Sequence, residues 1–147
     1  MNESKEKKSK TEIITHGRKY LEVRFAEGKG RGVFTNKPIA KDKLIEECPI
    51  LMIEMESVTQ FDGFKMGYYI FGFDNHPTKA ALLLGFGSLY NHASPSNAEA
   101  YYNEEKMTFS ITAIRGIKKG EEITINYNGA FDHDGVTEFL DVVEEAV

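Results

Sequence analysis

Short runs of alternating apolar and polar residues, separated by glycine-rich turns, constrain the fold of this chain more than any other feature. The clearest runs cover residues 107–113 and 123–127, and a third covers residues 20–25. Alternation of this kind places every second side chain on the same face of a strand. Glycines at 28, 30 and 32 mark a turn between the third run and a returning strand. The sequence therefore predicts a mostly β domain.

Other segments carry weaker patterns. Residues 44–47 and 50–53 resemble two short strands broken at Pro49, and residues 57–84 are rich in aromatics and compatible with short helices. Apolar residues fall at helical spacing in 132–147, which predicts an amphipathic C-terminal helix. Residues 1–12 are basic and almost without apolar side chains, as in a disordered tail.

Composition limits the class of protein. A length of 147 residues with 41% hydrophobic content indicates one domain with its own core. The longest apolar runs are too short to span a bilayer, and no signal-peptide pattern follows the start. A single cysteine and four scattered histidines offer no zinc-ligand spacing, so no metal is expected. These features predict a soluble intracellular protein without a membrane partner, in either cytoplasm or nucleus.

Charge is distributed unevenly along the chain. The net charge is −5, yet the first ten residues carry four lysines against two glutamates. Beyond Lys119 there are eight acidic residues and no lysine or arginine. This acidic end is either a solvated surface or a rim that attracts a basic peptide by electrostatic steering, and the two interpretations are about equally supported. Direct binding to nucleic acid is disfavoured by this distribution.

Three short segments are candidates for a functional site. Gly30-Arg31-Gly32 would let backbone approach a ligand closely, although such a pair of glycines is more often a hairpin turn. Asn91-His92 lies in a stretch rich in Asn, Ser and Pro that alone would be a polar turn. Tyr127 ends the segment 120–127 and would ordinarily be a half-buried packing residue.

Taken together, these segments resemble the SET domain, the fold of most protein-lysine methyltransferases, and their spacing is closest to the compact viral and microbial members. The resemblance covers residues 22–131. It implies several small sheets with a knot-like C-terminal arrangement, a SET domain over residues 13–131, and a packed C-terminal helical segment over 132–147. A C-terminal apolar face would also be compatible with a homodimer.

The resemblance implies an S-adenosylmethionine-dependent protein-lysine N-methyltransferase acting on a basic peptide or histone-like tail. In this family the segments matching Gly30, Arg31, Gly32, Asn91 and His92 hold the cofactor, and the tyrosine matching Tyr127 is catalytic. Two positions depart from the family pattern, since Ala93 and Ser96 replace the usual serine and proline. The alternative that remains is a non-catalytic SET-like peptide-binding or scaffolding module.

The same resemblance suggests the walls of a channel for the substrate lysine. Tyr69, Ile125 and Phe131 are the candidates, although the aromatic cluster around Tyr69 is more often core than site. Where many family members carry a tyrosine that limits methylation to one round, this chain has Ile125 and Ala100. The expectation is an enzyme that adds two or three methyl groups.

Overall fold

The part of the chain that the structure describes is built almost entirely from β-strands. This structure is a computed structural model, and it describes residues 19–59, 69–73 and 76–127. The basic tail at 1–12, Phe131 and the C-terminal helix at 132–147 lie outside the described residues, so these predictions stay untested.

Nine strands and one short helix follow each other along the described residues. The strands are β1 (Leu21–Ala26), β2 (Gly30–Thr35), β3 (Leu44–Glu54), β4 (Ile70–Phe73), β5 (His76–Leu83), β6 (Asn91–His92), β7 (Ala98–Asn103), β8 (Thr108–Ala113) and β9 (Glu122–Ile125); helix α1 spans Met55–Thr59 and a 3-10 turn spans Gly87–Leu89.

The strands pair in the order β1-β2-β9-β7-β8-β3-β5-β4, and β6 lies parallel to β9. Three small sheets can be distinguished, because β9 is shared by the first and second and β3 by the second and third. The prediction of a mostly β fold with several small sheets is confirmed. The strand β9 is central to the site, since it pairs with β2, β6 and β7 at once.

The predicted break at Pro49 is wrong, because β3 runs without interruption from Leu44 to Glu54. Proline is tolerated at this point, where β3 changes partners. Residues 44–49 pair with β8, whereas residues 50–54 pair with β5. Pro49 lacks an N–H but still uses its carbonyl, which accepts a hydrogen bond from the Leu84 N–H at 2.8 Å.

The first half of β3 contains a bulge between Leu44 and Glu46. A bulge adds one residue to a strand and re-aims the neighbouring side chains. Ile45 and Glu46 are consecutive and both buried, and the alternation then continues with Cys48 and Ile50 facing inward. A carboxyl group thereby enters the interior of the domain.

The main core lies where these sheets curl together. Its largest fully buried side chains come from several strands and loops: Tyr90, Phe109, Leu21, Ile45, Ile111, Ile117, Ile123, Ile125 and Val33. The alternation in residues 20–25 predicts that Phe25 shares the buried face of β1 with Leu21 and Val23, but the Phe25 side chain is 85% exposed. Alternation predicts which side chains share a face, but it does not say how far the core extends beneath that face.

No helix among the described residues is both long and apolar enough to cross a membrane.

Candidate active site

The parallel pairing of β6 with β9 brings together two of the segments singled out in the sequence. Asn91 pairs with Thr124 and His92 with Ile125. The Ala93 N–H continues the contact by donating to the Ile125 carbonyl at 3.1 Å. Tyr127 follows β9 by two residues, so its position is fixed relative to the Asn91-His92 pair despite the long separation in sequence.

Tyr127 is held through both its backbone and its side chain. Its N–H donates to Nδ1 of His92 at 3.1 Å, and its hydroxyl donates to the Tyr90 carbonyl at 2.7 Å. The ring meets Phe71 edge-on, with ring centroids 5.3 Å apart, and lies at the same centroid separation from His92. These contacts give the phenol a defined orientation with its oxygen near the backbone that precedes Asn91.

The pKa of Tyr127 is raised above its ordinary value, chiefly because burial disfavours the charged phenolate, with further contributions from Glu122 and Tyr69. The hydroxyl therefore remains protonated at physiological pH. A neutral hydroxyl can donate one hydrogen bond and accept others, but it is not a proton-abstracting base.

The two glycines of Gly30-Arg31-Gly32 serve different purposes. Gly30 has a φ of +80°, which favours glycine, and a Cβ there would meet nothing within 4 Å. Gly32 is buried, and a Cβ there would collide with the carboxylate of Glu122 and lie 2.8 Å from Nδ2 of Asn91. Because Gly32 lacks a Cβ, β2 can pack tightly against the side chains of Asn91 and Glu122. Gly30 and Arg31, by contrast, are exposed.

A polar network joins these segments. Nδ2 of Asn91 donates to the Arg31 carbonyl at 3.1 Å and to the Glu122 carboxylate at 2.7 Å. Nζ of Lys29 lies 3.8 Å from the same carboxylate and donates to the His92 carbonyl at 3.3 Å. The role of Glu122 here is structural, since its carboxylate fixes the Asn91 side chain beside the glycine turn.

Asn97 secures β9 from the other side. Its buried side chain accepts from the Thr124 N–H at 2.8 Å and donates to the Glu122 carbonyl at 2.7 Å. Glu121 pairs with Arg115 at 2.5 Å, and this hydrogen bond is the main cause of the lowered pKa of Glu121. The loop that carries Ala93 and Ser96 therefore still ends in a residue, Asn97, that clamps β9 through two hydrogen bonds to its backbone.

The candidates for the lysine channel occupy different environments. Tyr69 is exposed and close enough to Tyr127 to influence its ionisation. Ile125 is 1% exposed and belongs to the main core. Phe131 lies outside the described residues.

Sequence reasoning missed two residues that touch Tyr127. Phe71 belongs to the aromatic cluster around Tyr69, whose sequence pattern is more typical of core, and no motif in the sequence includes Tyr90. Nothing local in the sequence marks the Tyr90 carbonyl as the acceptor for Tyr127.

Within the described ranges, no group of three or more His, Cys, Asp or Glu side chains is arranged to hold a metal ion.

Comparison with known proteins decides the family. The model of the SET domain matches residues 30–128, which is more than half of the chain. The chain belongs to the SET-domain family. This match includes Gly30, Asn91 and Tyr127, and it ends one residue after the proposed catalytic tyrosine.

Two individual proteins agree with this assignment. The chain is 34% identical over 108 residues to a Schizosaccharomyces pombe protein named histone-lysine N-methyltransferase, H3 lysine-37 specific; the match covers 73% of this chain and 72% of that protein. A crystal structure of a Plasmodium falciparum protein described as a candidate histone methyltransferase is similar with a TM-score of 0.60 and 26% identity, covering 76% of this chain and 96% of that one. This SET-domain chain is a protein-lysine methyltransferase, and the alternative of a non-catalytic module is not favoured.

Proposed function

We propose that this SET-domain enzyme transfers methyl groups from S-adenosylmethionine to lysine side chains on a basic, histone-like tail, with Tyr127 at the reacting centre. The observation that carries the assignment of the site is the position of the Tyr127 hydroxyl. It lies 2.7 Å from the carbonyl of Tyr90, the residue that immediately precedes Asn91-His92. Tyr127 itself follows β9, the strand that pairs with both β2 and β6.

The residues around this point fit a cofactor of that kind. Gly30 and Arg31 are exposed residues, with open space where a Cβ of Gly30 would lie. Half-buried Asn91 and His92 form the adjoining surface, and their strand is held in place by β9. We assign cofactor contact to Gly30, Arg31, Asn91 and His92, and we assign Gly32 the task of letting Asn91 pack close to them.

The residues of this chain would then position the substrate amine. When bound, S-adenosylmethionine supplies a methyl group on a positively charged sulfur. Tyr127 commits its proton to the Tyr90 carbonyl, so its oxygen can accept a hydrogen bond from the incoming amine. Phe71 orients the phenol ring, and Tyr69 contributes an exposed aromatic wall at the entrance. Alignment of two held reactants supplies much of the rate in such a transfer.

A histone-like substrate is supported by the relative from Schizosaccharomyces pombe, whose name specifies lysine 37 of histone H3. The acidic residues that follow Lys119 in the sequence are also suited to attract a basic segment. We extend the substrate class, and not the particular lysine, to this chain.

The substrate class can be tested by comparing kcat/KM for recombinant core histones with values for non-histone proteins of similar basic charge. Electrostatic steering alone would treat both sets of basic proteins alike, so any preference reports recognition of the histone sequence itself. We expect kcat/KM for histones to be higher by at least about tenfold. Titration calorimetry with S-adenosylhomocysteine establishes cofactor binding separately. Equal rates for both sets would contradict the histone assignment, and absent binding would contradict the cofactor assignment.

The pH dependence follows from the neutral state of Tyr127. Only the neutral amine of the substrate reacts, and a free lysine has a pKa of about 10.4, so its neutral fraction rises about tenfold per pH unit. Because the pKa of Tyr127 is raised, its ionisation should not interfere in this range. We expect log kcat/KM to rise with a slope near one between about pH 7 and pH 9. A falling limb in that range, with circular dichroism unchanged, would show that a required group loses its proton.

The products should carry more than one methyl group. Ile125 and Ala100 are buried in one core cluster and have no hydroxyl with which to hold a water molecule beside the amine. Tyr101 and Tyr102, which follow Ala100, are the nearby tyrosines that could supply such a hydroxyl. Tyr101 is exposed, however, and Tyr102 packs on Phe109 with ring centroids 5.3 Å apart. Mass spectra at exhaustive turnover should show dimethyl- or trimethyl-lysine. Monomethyl-lysine as the sole end product would contradict this prediction.

A further inference from the structure

A buried carboxyl group lies behind the proposed catalytic tyrosine, and the proposed mechanism does not use it. Glu46 on β3 is 6% exposed. A buried carboxyl group is costly unless hydrogen bonds satisfy its oxygens. Oε1 of Glu46 accepts from the Phe86 N–H at 3.0 Å, and Oε2 accepts from the Tyr90 hydroxyl at 2.7 Å.

The donors to Glu46 are fixed in their protonated forms. The pKa of Tyr90 is raised, first by burial and then by the charge of Glu46, and its side chain is fully buried. Burial and the nearby charge of Glu46 also raise the pKa of the buried Cys48 thiol. Tyr90 and Cys48 therefore keep their protons throughout the physiological range, and the Tyr90 hydroxyl remains a donor to the carboxyl group.

Tyr90 links this buried cluster to the site. Its hydroxyl points to Glu46, while its backbone carbonyl accepts the hydrogen bond from the Tyr127 hydroxyl at 2.7 Å. The two ends of one residue are thus joined to a core carboxyl group on β3 and to the phenol that follows β9. A shift of the Tyr90 side chain would move the carbonyl that orients Tyr127.

We propose that Glu46 is a positioning residue for methyl transfer, which acts through Tyr90 to fix the carbonyl that orients the Tyr127 hydroxyl. This inference rests on the proposed role of Tyr127 and extends it to a residue on another strand. The bulge after Leu44 accompanies this arrangement, since Ile45 and Glu46 both face inward there. If Glu46 were only structural, changing it would lower the stability of the whole domain, and its effect on kcat would not depend on the Tyr127 hydroxyl.

A double-mutant cycle distinguishes the two roles. Tyr90→Phe removes the hydroxyl that reaches Glu46 but leaves the Tyr90 carbonyl in place. We expect it to lower kcat by about three- to tenfold, the effect of losing one orienting hydrogen bond, with KM for S-adenosylmethionine within about twofold of wild type. In a Tyr127→Phe background the same change should cost less than about 1.5-fold, because the hydroxyl it orients is already absent.

Glu46→Gln, which keeps the shape of the side chain, provides a second cycle if Tyr90→Phe does not fold. It is expected to show the same non-additivity with Tyr127→Phe. Ile117→Val supplies the control, since it trims a buried residue of the core that takes no part in the Glu46, Tyr90 and Tyr127 hydrogen bonds. Its effect on kcat should be small and equal in both backgrounds. Single-turnover reactions with labelled cofactor make the residual activity of Tyr127→Phe measurable.

The outcomes separate this proposal from the function on which it rests. Equal losses in the wild-type and Tyr127→Phe backgrounds, or unchanged kcat in folded Tyr90→Phe and Glu46→Gln, would overturn the positioning role while leaving the methyltransferase assignment intact. Lysine labelling by Tyr127→Phe at a rate within about twofold of wild type would overturn the role of Tyr127 itself.

Discussion

Replacement of Tyr127 by phenylalanine is expected to lower methyl transfer by about a hundredfold or more, the loss typical of removing a preorganised hydrogen-bonding group at the reacting centre. The ring would keep its edge contact with Phe71, and the backbone N–H would still donate to His92. The lost hydroxyl leaves the Tyr90 carbonyl without its 2.7 Å partner, which costs about 1 kcal/mol of stability. Initial rates and urea denaturation measure both effects.

Tyr101→Phe is the matched control for this variant. Tyr101 is exposed on β7, so removing its hydroxyl should leave both rate and stability within experimental error. Cofactor binding by Tyr127→Phe should stay close to wild type, since the proposed cofactor contacts lie on other residues. Turnover within about twofold of wild type would remove Tyr127 from the mechanism, because catalytic hydrogen bonds are worth far more than that.

Asn97→Ala is expected to cause the largest loss of stability among single changes near the site. The buried side chain satisfies the Thr124 N–H and the Glu122 carbonyl, and both would lose their partner. Leaving a buried polar group unsatisfied costs about 1–3 kcal/mol, so we expect the free energy of unfolding to fall by about 2–5 kcal/mol. Because β9 leads directly into Tyr127, activity should fall with it.

Asn103→Ala provides the comparison for that change. Asn103 also uses its side chain in a hydrogen bond to backbone, but it accepts from the Lys106 N–H in an exposed turn. Water can replace that bond, so we expect a change of less than about 1 kcal/mol. Denaturant titration of both variants decides the point, and an Asn97→Ala protein as stable as Asn103→Ala would contradict the proposed clamp.

Alternation in the sequence predicted the strands where one face is buried along the whole length. In β8 the side chains of Phe109, Ile111 and Ala113 are all fully buried, as the pattern required. The pattern failed for β3, where continuity depends on two different partner strands meeting at Pro49. It also failed for Phe25, because the extent of the core beneath a strand is a property of the assembled sheets.

The arrangement of the candidate site was predictable to the extent that it rests on motifs. The structure brings His92 to Tyr127 and brings the Gly30–Gly32 segment to Asn91, with β9 pairing to both strands. The contacts made by Phe71 and Tyr90 depend on strands that approach only after folding, so no local spacing announces them. The same holds for Glu46, whose burial follows from the three-dimensional pairing of β3 with β8.

The most direct test of this account is incubation of the enzyme with core histones and S-adenosylmethionine carrying a deuterated methyl group, followed by tandem mass spectrometry. The account predicts labelled methyl groups on lysine side chains, with more than one on the same nitrogen at long times. Two results would contradict the account if the enzyme binds the cofactor: labelled methyl groups on arginine instead of lysine, or no labelled lysine in any histone.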